Sequence, residues 1–142
     1  MIGPPLREAI AMMLPSISER DAEKVIKDFK SFYDNGLCLE YTLHPKAVHF
    51  IKSSSCSDRF FIVTNKRDVP AQLIFSSDPF FDLFERRITI DTKGYIGLTK
   101  GERIVKLMKE KSLLNIECVY IGDHPHDEIA AHYATIDFKK AW

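Results

Sequence analysis

Val119-Tyr120-Ile121-Gly122-Asp123-His124-Pro125-His126-Asp127 is the stretch that decides how this chain folds. An apolar, buried-looking strand ends in a glycine, and two carboxylates follow it four residues apart. In an α/β sheet that places both acids at the carboxyl edge of a strand, where such folds bind ligands. Two carboxylates in one loop are hard oxygen donors and suit Mg²⁺ better than zinc. A plainer reading stands beside this one. Asp127, ahead of Glu128-Ile129-Ala130-Ala131, is a helix N-cap that satisfies orphan amides by itself. His124 and His126 flank Pro125 and read as loop-exposed, with a shared zinc as the lesser alternative.

Two upstream segments fall into line with this loop. Phe60-Phe61-Ile62-Val63-Thr64-Asn65-Lys66 is an apolar strand that ends in a hydroxyl, an amide and a cation. Thr64 and Asn65 suit hydrogen bonding to phosphoryl oxygens at a strand end, although Thr-Asn is also a common strand-to-helix turn. Lys66 reads as a solvated turn lysine. Thr99-Lys100-Gly101-Glu102 has the spacing of a capping box, which puts Lys100 at the first helical position and aims it at the strand edge. On local grounds alone it is one surface lysine among many.

In this order, Thr64 after a strand, Lys100 at a helix start and Gly122-Asp123 with Asp127 after another strand resemble three motifs of one family. It is the haloacid dehalogenase-like (HAD) hydrolase superfamily, and Val63-Thr64-Asn65-Lys66 is similar to its phosphoglycolate phosphatase-like branch. The resemblance implies a Mg²⁺-dependent phosphatase acting on a small phosphorylated metabolite, with phosphoglycolate as the default substrate. It gives Thr64 and Lys100 the catalytic roles, adds Asn65 to them as phosphate binders, and makes Asp123 and Asp127 the metal ligands. In the family an aspartate attacks phosphorus, and water hydrolyses the aspartyl-phosphate. That aspartate belongs to an Asp-x-Asp-Gly-Thr motif, and no Asp-x-Asp pair occurs in the 142 residues. The nearest imitation, Ile88-Thr89-Ile90-Asp91-Thr92-Lys93, has lysine for the second acid and lies between the second and third motifs. The chain alone is therefore expected to lack ordinary turnover. Three readings stay open: a phosphatase lacking its first strand and tail, a non-catalytic phosphate- or partner-binding remnant, or a subunit completed by a strand from another chain.

The organisation fits. Leu6, Ala9, Ile10, Met13 and Leu14 form one helical stripe, ended by Pro15, with Pro4 and Pro5 suited to its first turn. Ala22, Val25, Ile26, Phe29, Phe32 and Tyr33 form a second, closed by Asn35-Gly36. That aromatic stripe reads as core rather than as a ligand box. Residues 1–43 are expected to be a small helical cap and 44–142 a partial core. The fold class is α/β, a HAD-like Rossmannoid parallel sheet, incomplete, with strands at 60–64, 86–90 and 117–121. The family's first strand lies between the first and third of these. They are expected to pair directly, or to leave the chain weakly stable and prone to self-association.

Composition narrows the partners. Twenty basic and twenty acidic side chains cancel, which gives no reason to expect nucleic acid or an anionic membrane. No apolar run nears the roughly 18 residues of a membrane span, and no charged-then-apolar leader is present. Cys38, Cys56 and Cys118 sit at unrelated spacings and read as buried, reduced thiols of a cytoplasmic protein.

Overall fold

The computed structural model describes residues 6–141, so Pro4 and Pro5 lie outside it. Helix α1 (Leu6–Met13) and helix α2 (Glu19–Asp34) come first. The Ser18 side chain accepts the Asp21 amide at the start of α2, and Gly36 leaves its end at φ 126°. A 3₁₀ turn at Leu37–Leu39 and helix α3 (Pro45–Ser53) lead to strand β1 (Phe60–Val63). Helix α4 (Asp68–Ser77) and a 3₁₀ turn at Pro79–Leu83 carry the chain to strand β2 (Phe84–Ile88). Helix α5 (Lys100–Glu110), strand β3 (Val119–Gly122), helix α6 (Pro125–Tyr133) and strand β4 (Asp137–Lys140) complete it.

The strands form two separate parallel pairs. β1 pairs with β2, running from Phe60 against Phe84 to Val63 against Ile88 with one irregularity after Phe60. β3 pairs with β4 from Val119 against Asp137 to Gly122 against Lys140. Each pair is closed by its own helix, α4 or α6, because parallel strands require a crossover. β1 and β3 do not pair with each other, so of the two outcomes expected for them, direct pairing is not the one found. A side chain spans the interval instead: the Tyr120 hydroxyl on β3 donates to the Val63 carbonyl on β1 at 3.0 Å.

Three sequence expectations are corrected here. β2 lies two residues earlier than the 86–90 expected, because the 3₁₀ turn ends at Leu83 and frees Phe84 to pair with Phe60. β4 was not expected at all. The aromatic stripe of α2 is not core: no residue of α2 is buried, and Phe29 and Phe32 are 42% and 74% exposed.

The core lies elsewhere. Val63, Ile88, Tyr95, Ile104, Leu107, Met108, Ala130 and Ala134 form one cluster, which joins β1 and β2 to α5 and α6. Ala71, Phe75 and Phe81 form a second beneath α4, with Tyr41, Ile62 and Phe84 packed on it. Burial of such side chains contributes roughly 1.5–3 kcal/mol each before entropy is charged against it. Among the described residues no helix is long and apolar enough to cross a membrane.

Candidate functional site

Three segments far apart in sequence meet where β1, α5 and the β3–α6 loop come together. Thr99 starts α5. Its side chain accepts the Glu102 amide while the Glu102 carboxylate accepts the Thr99 amide, so the expected capping box is present. That cap fixes Lys100 at the first helical position. Lys100 Nζ meets Asp127 Oδ1 at 2.5 Å, with side chains only 9% and 8% exposed. The other Asp127 oxygen accepts the His124 amide at 3.2 Å.

Asp127 is thus an acid of the first turn, not the N-cap. His124 caps α6, its Nδ1 accepting the His126 amide at 3.2 Å, and the two imidazoles stack with centroids 4.8 Å apart. Pro125 takes the first helical position, so the helix starts ahead of Asp127 and not after it. The reason is steric and electrostatic: proline suits that position, and an acid in the first turn meets the positive end of the helix.

Thr64 is buried and held from three sides. Its amide continues the β1–β2 ladder to the Ile88 carbonyl at 2.9 Å, and its hydroxyl accepts the Lys66 amide at 3.1 Å. Its carbonyl accepts Arg103 Nη1 at 2.6 Å. The other arm of Arg103 donates to Asn65 Oδ1, which leaves the Asn65 amide protons directed away from that guanidinium. Arg103 is 2% exposed, and burial pulls its pKa down. It ties the turn after β1 to the helix that carries Lys100. The sequence reading passed over it. Its signal was position: three residues after Lys100 and four before Leu107, it falls on the buried face of α5.

Asp123 is exposed. It acts on the site through its field: burial, then Asp127, and less strongly Asp123, push the Tyr120 hydroxyl well above its ordinary range, with Arg103 opposing them. Lys66 departs from the solvated lysine expected. Its Nζ donates to the Tyr33 hydroxyl at 2.6 Å and lies 5.1 Å from that ring's centroid. Arg67 beside it grips Asp34 with both arms, at 2.9 and 2.6 Å. These contacts seat the end of α2 on the turn after β1.

Between α2 and that turn lies a cleft of about 1220 Å³. Asn65, Lys66, Lys100 and Arg103 line it, and Phe29 and Tyr33 face them from α2. Asp127 is joined to the cleft by its ion pair with Lys100.

The fit to Mg²⁺ fails on the residues described. Both Asp127 oxygens are already engaged by Lys100 and the His124 amide. Asp123 is then the remaining carboxylate, and no group of three or more His, Cys, Asp or Glu side chains is placed to hold a metal among the described residues. Mg²⁺ demands a near-octahedral set of oxygens, which these two aspartates do not provide by themselves.

The fold agrees with what comparison finds. The family model described as haloacid dehalogenase-like hydrolase matches residues 1–141. The chain belongs to that family. No curated protein matches it in sequence. Among solved structures it resembles a haloacid dehalogenase-like family hydrolase of Streptococcus pneumoniae, with a TM-score of 0.81 at 20% identity. It covers 96% of this chain and 62% of that one. A phosphoglycolate phosphatase candidate of Lactobacillus plantarum gives 0.79 at 17% identity, covering 99% of this chain and 70% of that one. A HAD-superfamily hydrolase of Geobacter sulfurreducens, subfamily IA, gives 0.71 at 16%, covering 95% of this chain and 62% of that one. At such identities the likeness is one of fold. The chain spans less than two thirds of the Streptococcus and Geobacter chains.

Proposed function

We propose that this chain carries the phosphate-binding half of a HAD-type phosphomonoester hydrolase. Thr64, Asn65 and Lys100 would hold the phosphoryl group of a small phosphorylated metabolite, and the described residues up to 43 would lie over it as a cap. The observation that supports this best is the buried Lys100–Asp127 pair at 2.5 Å, on a helix that Arg103 ties to Thr64. It joins three motifs that lie apart in the sequence. Lys100 gives one of its three ammonium donors to Asp127 and keeps the others for an anion, at a place where little water competes. Asn65 offers amide donors beside it. An attacking carboxylate has no counterpart in the sequence, so this chain by itself is expected to bind phosphate and not to turn over a phosphomonoester.

A calorimetric titration with inorganic phosphate and an assay on p-nitrophenyl phosphate with Mg²⁺ test both halves of this reading. Phosphate is expected to bind, Lys100→Gln to weaken that binding at least tenfold, and hydrolysis to stay at background. Robust Mg²⁺-dependent hydrolysis that Asp123→Asn abolishes would overturn the inactivity. Phosphate affinity indifferent to Lys100→Gln would overturn the site.

A second reading has its own support: β1 and β3 each pair on one side only, bridged by Tyr120. A strand from another polypeptide would then complete the sheet and supply the missing carboxylate. Turnover that appears only after mixing with such a partner is its signature.

A further inference from the structure

The aromatic face of α2 has no use in holding a phosphate, yet it is not spent on the core. Phe29 and Tyr33 stack with ring centroids 5.4 Å apart and planes 12° from parallel, and both line the cleft. Tyr33 is pinned by its hydrogen bond from Lys66, two residues beyond Thr64, at 2.6 Å. The Phe29 ring follows one helical turn further along, 42% exposed and open to the cleft. A flat apolar platform therefore begins one hydrogen bond away from the phosphate-binding turn.

The remaining lining extends it. Ile26 on α2, Ile90 and Ile129 add apolar surface to the same cleft. At about 1220 Å³, the space exceeds the roughly 300–1,000 Å³ of ordinary small-molecule pockets. A two-carbon phosphorylated acid would leave most of it wet. Lys27 and Lys30 also line the cleft, and neither has an ion-pair partner among the described residues; with Lys66 and Lys100 they outnumber the two acids of the lining, Glu23 and Glu102, which leaves the cleft favourable to an anion on balance.

We propose that the ligand of this site is a phosphomonoester with a flat aromatic body, of the nucleoside monophosphate kind. Its phosphate would lie at Asn65 and Lys100 and its ring against Phe29. The inference rests on the phosphate-binding reading above and departs from phosphoglycolate as the substrate. Stacking of one base on an aromatic side chain strengthens binding by roughly five- to a hundredfold.

Calorimetric titration of the chain with adenosine monophosphate, phosphoglycolate and inorganic phosphate separates the possibilities. Adenosine monophosphate is expected to bind about tenfold tighter than either of the others. Phe29→Ala, and Phe29→Leu as a variant that keeps most of the volume, should each remove that advantage and leave inorganic phosphate binding as it was. Phe32→Ala, on the exposed side of the same helix, should change neither. Far-UV circular dichroism of each variant reports folding. Adenosine monophosphate bound no tighter than phosphoglycolate, with inorganic phosphate still bound, would overturn the aromatic ligand and spare the phosphate site. An advantage that survives both Phe29 substitutions would overturn the platform. Failure of all three ligands to bind would remove the phosphate-binding reading together with this one.

Discussion

The tightest constraints on this molecule sit at two glycines and one ion pair. A Cβ placed on Gly122 would lie 2.4 Å from the Asp127 Cβ, and one on Gly101 would lie 2.7 Å from Tyr133 Cδ1 and 2.9 Å from its Cβ. In both cases the obstacle is the root of a side chain on α6, which cannot swing aside without moving the helix. Gly122→Ala and Gly101→Ala are each expected to cost about 1–3 kcal/mol by overpacking, although alanine is the better helix former at 101. A thermal midpoint equal to that of the unaltered chain would contradict this. The ion pair behaves differently. Lys100→Met leaves the Asp127 carboxylate buried with only the His124 amide for company, and should destabilise the fold by about 3 kcal/mol. Lys100→Met combined with Asp127→Leu should recover part of that loss, because no uncompensated charge then remains. Denaturant unfolding of the two single variants and the double variant forms a cycle that measures it. If the double variant loses the full sum of the singles, the two groups are not acting on each other.

At the scale of the element, α5 is the part most fully written in local sequence. The Thr99 and Glu102 side chains close its first turn reciprocally, and the Thr99 amide and hydroxyl hold the Glu102 carboxyl below its usual range. Thr99→Ala removes the N-cap bond to the Glu102 amide, which should cost about 1 kcal/mol and lower the midpoint by roughly 3 °C. A carboxylate with a depressed folded pKa stabilises above its unfolded value, 4.5, and loses that contribution as pH falls through the folded pKa. The gap between Thr99→Ala and the unaltered chain should accordingly narrow below about pH 4.5 by the share that the Thr99 hydroxyl gives to the Glu102 carboxylate, and a constant gap would show that this hydroxyl–carboxylate bond contributes nothing. Such caps, and the apolar runs of β1 and β3, depend on neighbours in sequence and were legible there. β4 was not, because Asp137-Phe138-Lys139-Lys140 offers one apolar side chain; its pattern is that of an edge strand kept from misassociating by lysine. The stripe of α2 has helical periodicity, and periodicity reports a common face without saying what that face meets. Here it meets a cleft. Arg103 and Tyr120 were hidden for a related reason: their partners, the Thr64 and Val63 carbonyls, are backbone atoms 39 and 57 residues away.

For the molecule as a whole, the decisive feature is the interval between the two strand pairs. Outside it the chain is well satisfied: no buried side-chain nitrogen or oxygen lacks a partner among the described residues. Within it, β1 and β3 are joined by the Tyr120 hydroxyl on the Val63 carbonyl, at 3.0 Å. Tyr120→Phe removes that bond and should cost about 1 kcal/mol. Tyr120 has a folded pKa raised above its ordinary 10.0, by burial first and by Asp127 next. Its neutral form is thus favoured in the folded state. The contribution is fully present below about pH 10 and is lost as pH climbs from there toward the folded value. Tyr95, likewise raised by burial and by Glu110, adds to the same alkaline decline, so Tyr120→Phe should flatten the decline without abolishing it. A single hydroxyl is a small substitute for a ladder of backbone bonds. Whole domains are stable by only about 5–15 kcal/mol, and strand edges left open invite pairing between molecules. The chain is therefore expected to self-associate in sedimentation velocity at micromolar concentration. Extending it with an Asp-x-Asp-Gly-Thr strand should raise the thermal midpoint, sharpen the transition and shift the sedimenting species toward monomer. A chain that is already a monomer, with a cooperative transition that the added strand leaves unmoved, would show that Tyr120 and the flanking helices suffice to hold the two halves together.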